Sequence, residues 1–248
     1  MNIIVTGGNQ GIGYYLTRAL LEQGHHVTVL DLNIATILAL TQDYPDALLP
    51  IRCDVRDSDA IQAAIAESVQ RFGSIEIAVH NACICTFDSL AETDLETYRD
   101  VMDVNYFGAL RLAKAVLPAM EKAGQGRVIF TSSGVGVTGF HNISPYASSK
   151  GAIESLAKCL SIEYEEKNIS FHLFHPPLTK TKSSAPLPVP AEMMADPEAV
   201  GMGLAKRISK KNFVICHSFG QQCQLRMSYL FPLKMGRLMS MMTKRAGG

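Results

Sequence analysis

Seven short runs rich in β-branched and aromatic residues punctuate this chain, and segments of helical period separate them. No other feature constrains the fold as much. The runs are NIIVT (2–6), HVTVLD (26–31), LLPIRCD (48–54), IEIAVH (75–80), RVIFTS (127–132), ISFHLF (169–174) and FVIC (213–216). Most are apolar along their whole length, which implies burial on both faces and so a parallel sheet covered by helices. Helices are expected near 11–23, 33–43, 58–72, 94–123, 145–167 and 196–210. Within 58–72, Ile61, Ala64, Ile65, Ser68 and Val69 share one face, and Asp57 or Ser58 offers an N-cap. Strands and helices alternating at this length predict a doubly wound α/β fold. A chain of 248 residues, 47% hydrophobic and 19% charged, suits one domain with a sizeable core. The main domain is expected over 1–221. Within it, KSSAPLPVPAEMMADP (182–197) carries four prolines after Lys182, which exclude a regular element and suggest a lid or binding loop.

Charge divides the chain unevenly although its formal net charge is zero. No acidic residue follows Glu198, while nine Lys/Arg do, so the remainder carries fourteen basic residues against twenty-three acidic ones. Such asymmetry suits either an anionic partner or a basic end folded back on an acidic body. The six cysteines show no C-x-x-C pair and no zinc-site spacing, which predicts reduced thiols and no metal. An apolar strand already at residue 3 leaves no room for a signal peptide, and no apolar run reaches spanning length, so the cytoplasm is the expected location.

Gly7, Gly11 and Gly13 in VTGGNQGIG stand where the first strand meets the first helix. Glycines at such a joint allow a tight turn and let the backbone approach a pyrophosphate held at the helix N-terminus. Asp31 ends the second strand, about 20 residues on, where a carboxylate accepts hydrogen bonds from the adenosine ribose and repels a 2′-phosphate. Residues 1–17 contain no Lys or Arg, so NAD is expected over NADP. Asp54 ends the third run, where holding the adenine amino group and capping the next turn are equally open readings.

Four motifs in order then resemble the short-chain dehydrogenase/reductase family over about residues 1–181: TGGNQGIG, HNAC (80–83), Asn105 in MDVNYFG, and SSGVGVTGFHNISPYASSK. The resemblance implies a Rossmann-like fold and a catalytic set of Ser133, Tyr146, Lys150 and Asn105. Tyr146 would exchange a proton with the substrate, Ser133 would hold the substrate oxygen, and Lys150 would stabilise the phenolate and reach the nicotinamide ribose. Asn105 would hold a water behind Lys150. The same resemblance extends the cofactor set to Asn9, Gln10, Ile12, Val55, Asn81, Ala82, Pro176, Thr179 and Thr181, beside Tyr146 and Lys150. Free tyrosine, with a pKa of about 10, is a poor base near neutrality, so a neighbouring cation is chemically necessary. Ser132 is out of register with the motif and, by strand alternation, points the other way.

This chain departs from the family at His80 and Cys83, which replace the first asparagine and the glycine of N-N-A-G. It departs again at Pro177, which replaces the glycine of N-P-G. These changes fall on the nicotinamide side. The implied function is NAD-dependent interconversion of an alcohol and a ketone or aldehyde; the alternative is a protein that binds NAD(H) without turnover. Candidate walls of the substrate pocket are Cys85, Val135, Phe140, His141 and Met193/Met194, mostly apolar, which favours a lipophilic substrate. His175 is expected to be a packed strand-end residue. The helices at 94–123 and 145–167 suggest a homodimer or homotetramer, and nothing suggests nucleic acid. In the basic, Met-rich tail (222–248), Met235, Leu238, Met239 and Met242 are expected on one helical face bordered by Lys234, Arg237, Lys244 and Arg245. That pattern fits a tail docked over the pocket, on its own domain or a neighbouring subunit, or one resting on an anionic membrane.

Overall fold

The computed structural model describes residues 1–246, with side chains through Thr243. The side chains of Lys244 and Arg245 lie outside the described residues. The elements, in chain order, are β1 (Asn2–Thr6), α1 (Gly11–Glu22), β2 (His26–Asp31), α2 (Ala35–Leu38), β3 (Leu48–Arg52), α3 (Ser58–Phe72), β4 (Ile77–His80), α4 (Leu95–Met102), α5 (Gly108–Ala123), β5 (Gly126–Thr131), α6 (Val135–Thr138), α7 (Ser144–Glu163), β6 (Ile169–His175), α8 (Pro197–Ala205), β7 (Val214–Cys216), α9 (Phe219–Leu230) and α10 (Pro232–Ala246). The seven strands form one sheet in the order β3-β2-β1-β4-β5-β6-β7, every pair parallel. The doubly wound α/β arrangement expected from the alternation is present.

Two apolar layers bury the sheet. Ile4, Leu30, Ala78, Val128 and Phe130 face α3, α5 and α7. Ile3, Val5, Val27, Val29 and Val79 face α1 and α8. Successive strand residues thus enter opposite layers, as the pleat requires, and neither layer meets solvent. Asp57, one of the two capping candidates, is the one used: its side chain accepts from the amides of Asp59 and Ala60.

The expected helix at 94–123 is interrupted by a five-residue π turn, Asp103–Phe107, between α4 and α5. The helix expected at 33–43 shortens to α2 and one 3₁₀ turn, Ala39–Thr41. The proline-rich stretch forms turns and a single 3₁₀ turn, Ala191–Met193, before α8 starts at Pro197.

The tail forms two helices. Pro232 sits in the first turn of α10, where its missing N–H costs nothing. Gly236 lies inside α10 because any Cβ there would meet the carbonyl oxygens of Gly139 and Thr138 at 2.6 and 2.8 Å. The expected apolar stripe divides: Met235 and Met239 turn inward, whereas Leu238 and Met242 are exposed. No described helix is long and apolar enough to cross a membrane. All six cysteines are free.

Candidate active site

A cleft of about 1060 Å³ runs along the C-terminal edge of the sheet, where β1, β2, β4, β5 and β6 end. Its first half is built mainly from backbone. Gly7 and Gly11 have φ of +66° and +57°, left-handed values that favour glycine. A Cβ on Gly7 would lie 2.7 Å from the Ala82 backbone, and one on Gly13 would collide with the Gly7 carbonyl oxygen. Asn81 Nδ2 donates to that same oxygen at 3.0 Å, tying the turn to the end of β4. No side chain caps α1, so its first-turn N–H groups are open to an anion. These features fit a dinucleotide pyrophosphate.

At the end of β2 both carboxylate oxygens of Asp31 accept from backbone, one from the amide of Asn9 at 3.0 Å and the other from Asn33 at 3.1 Å. Asp54 is gripped by Arg56 in a fork, with Nε at 3.1 Å from Oδ1 and Nη2 at 2.7 Å from Oδ2, and also accepts the Arg56 amide. This side-chain hydrogen bonding holds the Asp54 carboxyl below its ordinary value. Asp54 thus caps the turn that follows β3 and also lines the cleft. Arg56 also lines the cleft, a cation that a search confined to the glycine turn misses.

The second half is built from side chains. Ser133, Tyr146, Cys83, Cys85, Pro176 and Pro177 line it. Ser133 stands beside the Tyr146 phenol, and Lys150 Nζ lies 5.4 Å from the Tyr146 ring centroid. That ammonium donates to the Thr131 carbonyl at 2.7 Å and is 1% exposed. Burial pushes the Tyr146 phenol well above its ordinary value, the Cys83 and Cys85 thiols push it the same way, and Ser133 draws it back. Burial likewise lowers Lys150, against an upward pull from the two thiols. Cys85 is itself pushed up to about 12 by burial. The site thus disfavours charge on its own, and a cation added beside Tyr146 has a large effect there.

Four expected site residues do not line the cleft: Asn9, Gly13, Asn105 and Lys150. Asn9 Oδ1 accepts from the amides of Thr36 and Ile37 at 2.9 Å each, so its side chain caps α2 instead of facing a cofactor. Gly13 is a packing requirement. Asn105 sits in the π turn, fully buried, with Oδ1 accepting from Ile84 N at 2.8 Å and Nδ2 donating to Ile84 O and Ser149 Oγ at 2.9 Å. Both its amide hydrogens and one lone pair of Oδ1 brace the Cys83–Cys85 segment against α7. The remaining expected residues (Gly7, Gln10, Gly11, Ile12, Asp31, Asp54, Val55, Asn81, Ala82, Ser133, Tyr146, Pro176, Thr179 and Thr181) do line it. Among the expected pocket walls, Cys85, Val135, Phe140 and Met194 line the cleft; His141 packs edge-on to Phe87, and Met193 is exposed.

His80, the departure from asparagine, is buried beneath this half. Its Nδ1 lies 3.1 Å from Thr6 Oγ1, an oxygen that already accepts from the amides of Asn81 and Ala82. With both its lone pairs used, the hydroxyl donates to Nδ1, so the imidazole proton sits on Nε2, facing the Val104 and Asn105 carbonyls. Burial, with Lys150 nearby, pushes His80 down to about 3, so it stays neutral.

Of the readings of the tail, docking over the pocket is the contact present: Gln224, Leu225, Ser228, Met239 and Thr243 line the cleft, beside Gln221. One feature escaped the sequence reading. Glu154, one helical turn beyond Lys150, is a buried carboxylate paired at 2.7 Å with His175. Its position four residues after Lys150, facing inward, is the one sequence signal that marks it.

A short chain dehydrogenase family model matches residues 1–189. L-fucose dehydrogenase from Bos taurus is 30% identical over 175 residues, covering 70% of this chain and 64% of that protein. The 3-oxoacyl-[acyl-carrier-protein] reductase MabA from Mycobacterium avium is 29% identical over 186 residues, covering 75% and 70%. ElxO, solved with NADP bound, superposes with a TM-score of 0.79 at 24% identity, covering 90% of this chain and 99% of its own.

Proposed function

The chain belongs to the short-chain dehydrogenase family, and on that premise we propose that it interconverts a lipophilic alcohol and its ketone or aldehyde using NAD(H). Ser133 and Tyr146 line one cleft with Lys150 buried behind the Tyr146 ring, and this arrangement carries the reading. When bound, the cofactor supplies a hydride acceptor and a positive charge beside Tyr146. Tyr146 then removes the hydroxyl proton of the alcohol, and returns it in reduction. Ser133 holds the substrate oxygen and favours the charge that develops on it. Lys150, steadied by the Thr131 carbonyl, stabilises the phenolate and serves the ribose. With both Asn105 amide hydrogens and one Oδ1 lone pair committed, a water behind Lys150 would rest on its main-chain carbonyl.

Preference for NAD is supported by the Asp31 carboxylate at the β2 terminus and by the absence of Lys or Arg from residues 1–17. Arg56 is neutralised by its fork on Asp54. Lipophilicity is supported by the apolar walls from Val135, Phe140, Met194, Leu225 and Met239. A homo-oligomer is supported by exposed Leu95, Phe107 and Ile162 on α4, the π turn and α7. Membrane contact through the tail is supported by exposed Leu230, Leu233, Leu238 and Met241 beside Arg226, Lys234 and Arg237. Cytoplasmic residence is the matching proposal.

The second reading, binding without turnover, is favoured by Cys83 and Pro177 at the nicotinamide side. Thermal shift with NAD+ and NADP+, followed by an NADH-release screen over secondary alcohols, separates the two. NAD+ stabilisation with turnover of a lipophilic alcohol supports the first reading. Stabilisation by NADH with no turnover of any alcohol or ketone supports the second.

A further inference from the structure

Glu154 is 4% exposed and gathers four elements around one carboxylate. Oε1 accepts from Ser132 Oγ at 2.5 Å and lies 2.7 Å from His175 Nε2; Oε2 accepts from the Tyr229 hydroxyl at 2.5 Å. Burial pushes this carboxyl up, but His175, Ser132 and Tyr229 together hold it below its ordinary value, so it is an anion. Ser132 follows β5 and precedes Ser133. His175 ends β6 and precedes Pro176. Glu154 belongs to the helix of Tyr146 and Lys150, and Tyr229 to α9. The cluster therefore sits directly behind the substrate half of the cleft.

The other anchors of the tail are neutral: Ser228 and Thr243 are buried, and Thr138 Oγ1 meets Met239 Sδ at 3.9 Å. Leu225 is buried, Gly236 rests on the carbonyls of Thr138 and Gly139, and Ser240 Oγ accepts from the His141 amide at 3.2 Å. Leu230 and Leu233, 68% and 70% exposed, hold nothing inward. Among the described residues, Tyr229 makes the one hydrogen bond from the tail to a charged side chain of the body. Such a bond is stronger than a neutral one, and losing it leaves a buried charge short of a donor.

We propose that Tyr229 and Glu154 form a latch that holds α9 and α10 as the substrate-side wall. In this role Glu154 and Tyr229 are positioning residues for long apolar substrates and leave cofactor affinity and proton transfer alone. The inference rests on the oxidoreductase reading above for its kinetic test only. Tyr229→Phe keeps the ring beside His175 and removes the donor. With NAD+ saturating, KM for a long-chain secondary alcohol should rise about tenfold, the factor one such bond supports. KM for isopropanol, too short to reach the tail, should stay within about twofold, as should kcat for both. Equal rises for both alcohols, or no rise for the long one, would overturn the latch.

A second measurement does not need turnover. Trypsin cleavage at Arg226, Lys234 and Arg237 in the NAD+-bound protein should be several-fold faster in Tyr229→Phe, with the melting temperature of the body unchanged. Cleavage at the unmodified rate would overturn the proposal even if the kinetics agreed. If the unmodified protein turned over no alcohol, the oxidoreductase reading would fail, and the cleavage rate alone would decide the latch.

Discussion

The two halves of the cleft are made differently. The adenosine half comes from residues 7–31 and the ends of β3 and β4, and its contacts are mostly backbone: open amides on α1, left-handed glycines and an aspartate held by two N–H groups. The substrate half draws on segments more than a hundred residues apart, from Cys83 to Thr243. It also holds a cluster of ionisable groups, with His80, Lys150, Glu154 and His175 buried and Cys85 and Tyr146 half-buried. A dinucleotide's phosphates and ribose can be met by chain geometry that a short glycine spacing specifies. Proton transfer needs side chains whose protonation is shifted, and burial among distant partners is what shifts it.

That contrast can be broken by substitutions that should damage one half only. The largest effect belongs to Tyr146→Phe. Loss of the proton-transfer group should cut kcat by about 10²–10⁴-fold, while the NAD+ dissociation constant changes little. Steady-state kinetics with isothermal titration checks both. In the unmodified enzyme, kcat/KM for oxidation should rise with pH, because the phenol is held above its ordinary value and must lose its proton. A flat profile would remove Tyr146 from the role of base.

Gly13→Ala should injure the other half. Its methyl would meet the Gly7 carbonyl and Asn81, which cannot both retreat, at a cost of about 2 kcal/mol. The melting temperature should fall by roughly 4–8 °C, and NAD+ stabilisation should vanish. Asp31→Ala comes next: the ratio of NADP+ to NAD+ dissociation constants should narrow by about tenfold, close to the value of one charged hydrogen bond. Tighter NADP+ binding by the unmodified protein would reverse the assignment. Gly236→Ala should be mildest, since the gain in helix propensity, about 1 kcal/mol, offsets part of the clash with Thr138 and Gly139. It should raise KM for a long-chain alcohol and leave NAD+ titrations unaltered.

Much of the sheet was legible because each strand announces itself locally. β1 and β2 coincide with their apolar runs, and the other five lie within a few residues of theirs. The glycine turn and Asp31 were legible from their places at strand ends, and Ser133, Tyr146 and Lys150 through the resemblance to the family's motif. What periodicity missed was decided by tertiary contact. The π turn at Asp103–Phe107 leaves the apolar pattern of 94–123 nearly intact, so nothing marks the break. The family resemblance puts Asn9 in the cofactor set, yet its side chain bonds the start of α2. Residues 219–230 bury Leu225 and Ser228 on one face and expose Phe219, Met227 and Leu230, so their apolar positions follow no single stripe. Glu154 and Tyr229 are separated by 75 residues, and no local pattern connects them.

That separation also orders the assembly of the molecule. During synthesis from the N-terminus, β1, β2 and the glycine turn can close on one another with little chain between them. The tail has no such neighbour. Its landing sites, the carbonyls of α6 and the carboxylate of α7, exist only after β5, α7 and β6 have assembled around Glu154. The pocket wall therefore depends on the rest of the fold being in place, whereas none of the contacts that shape the glycine turn reaches the tail.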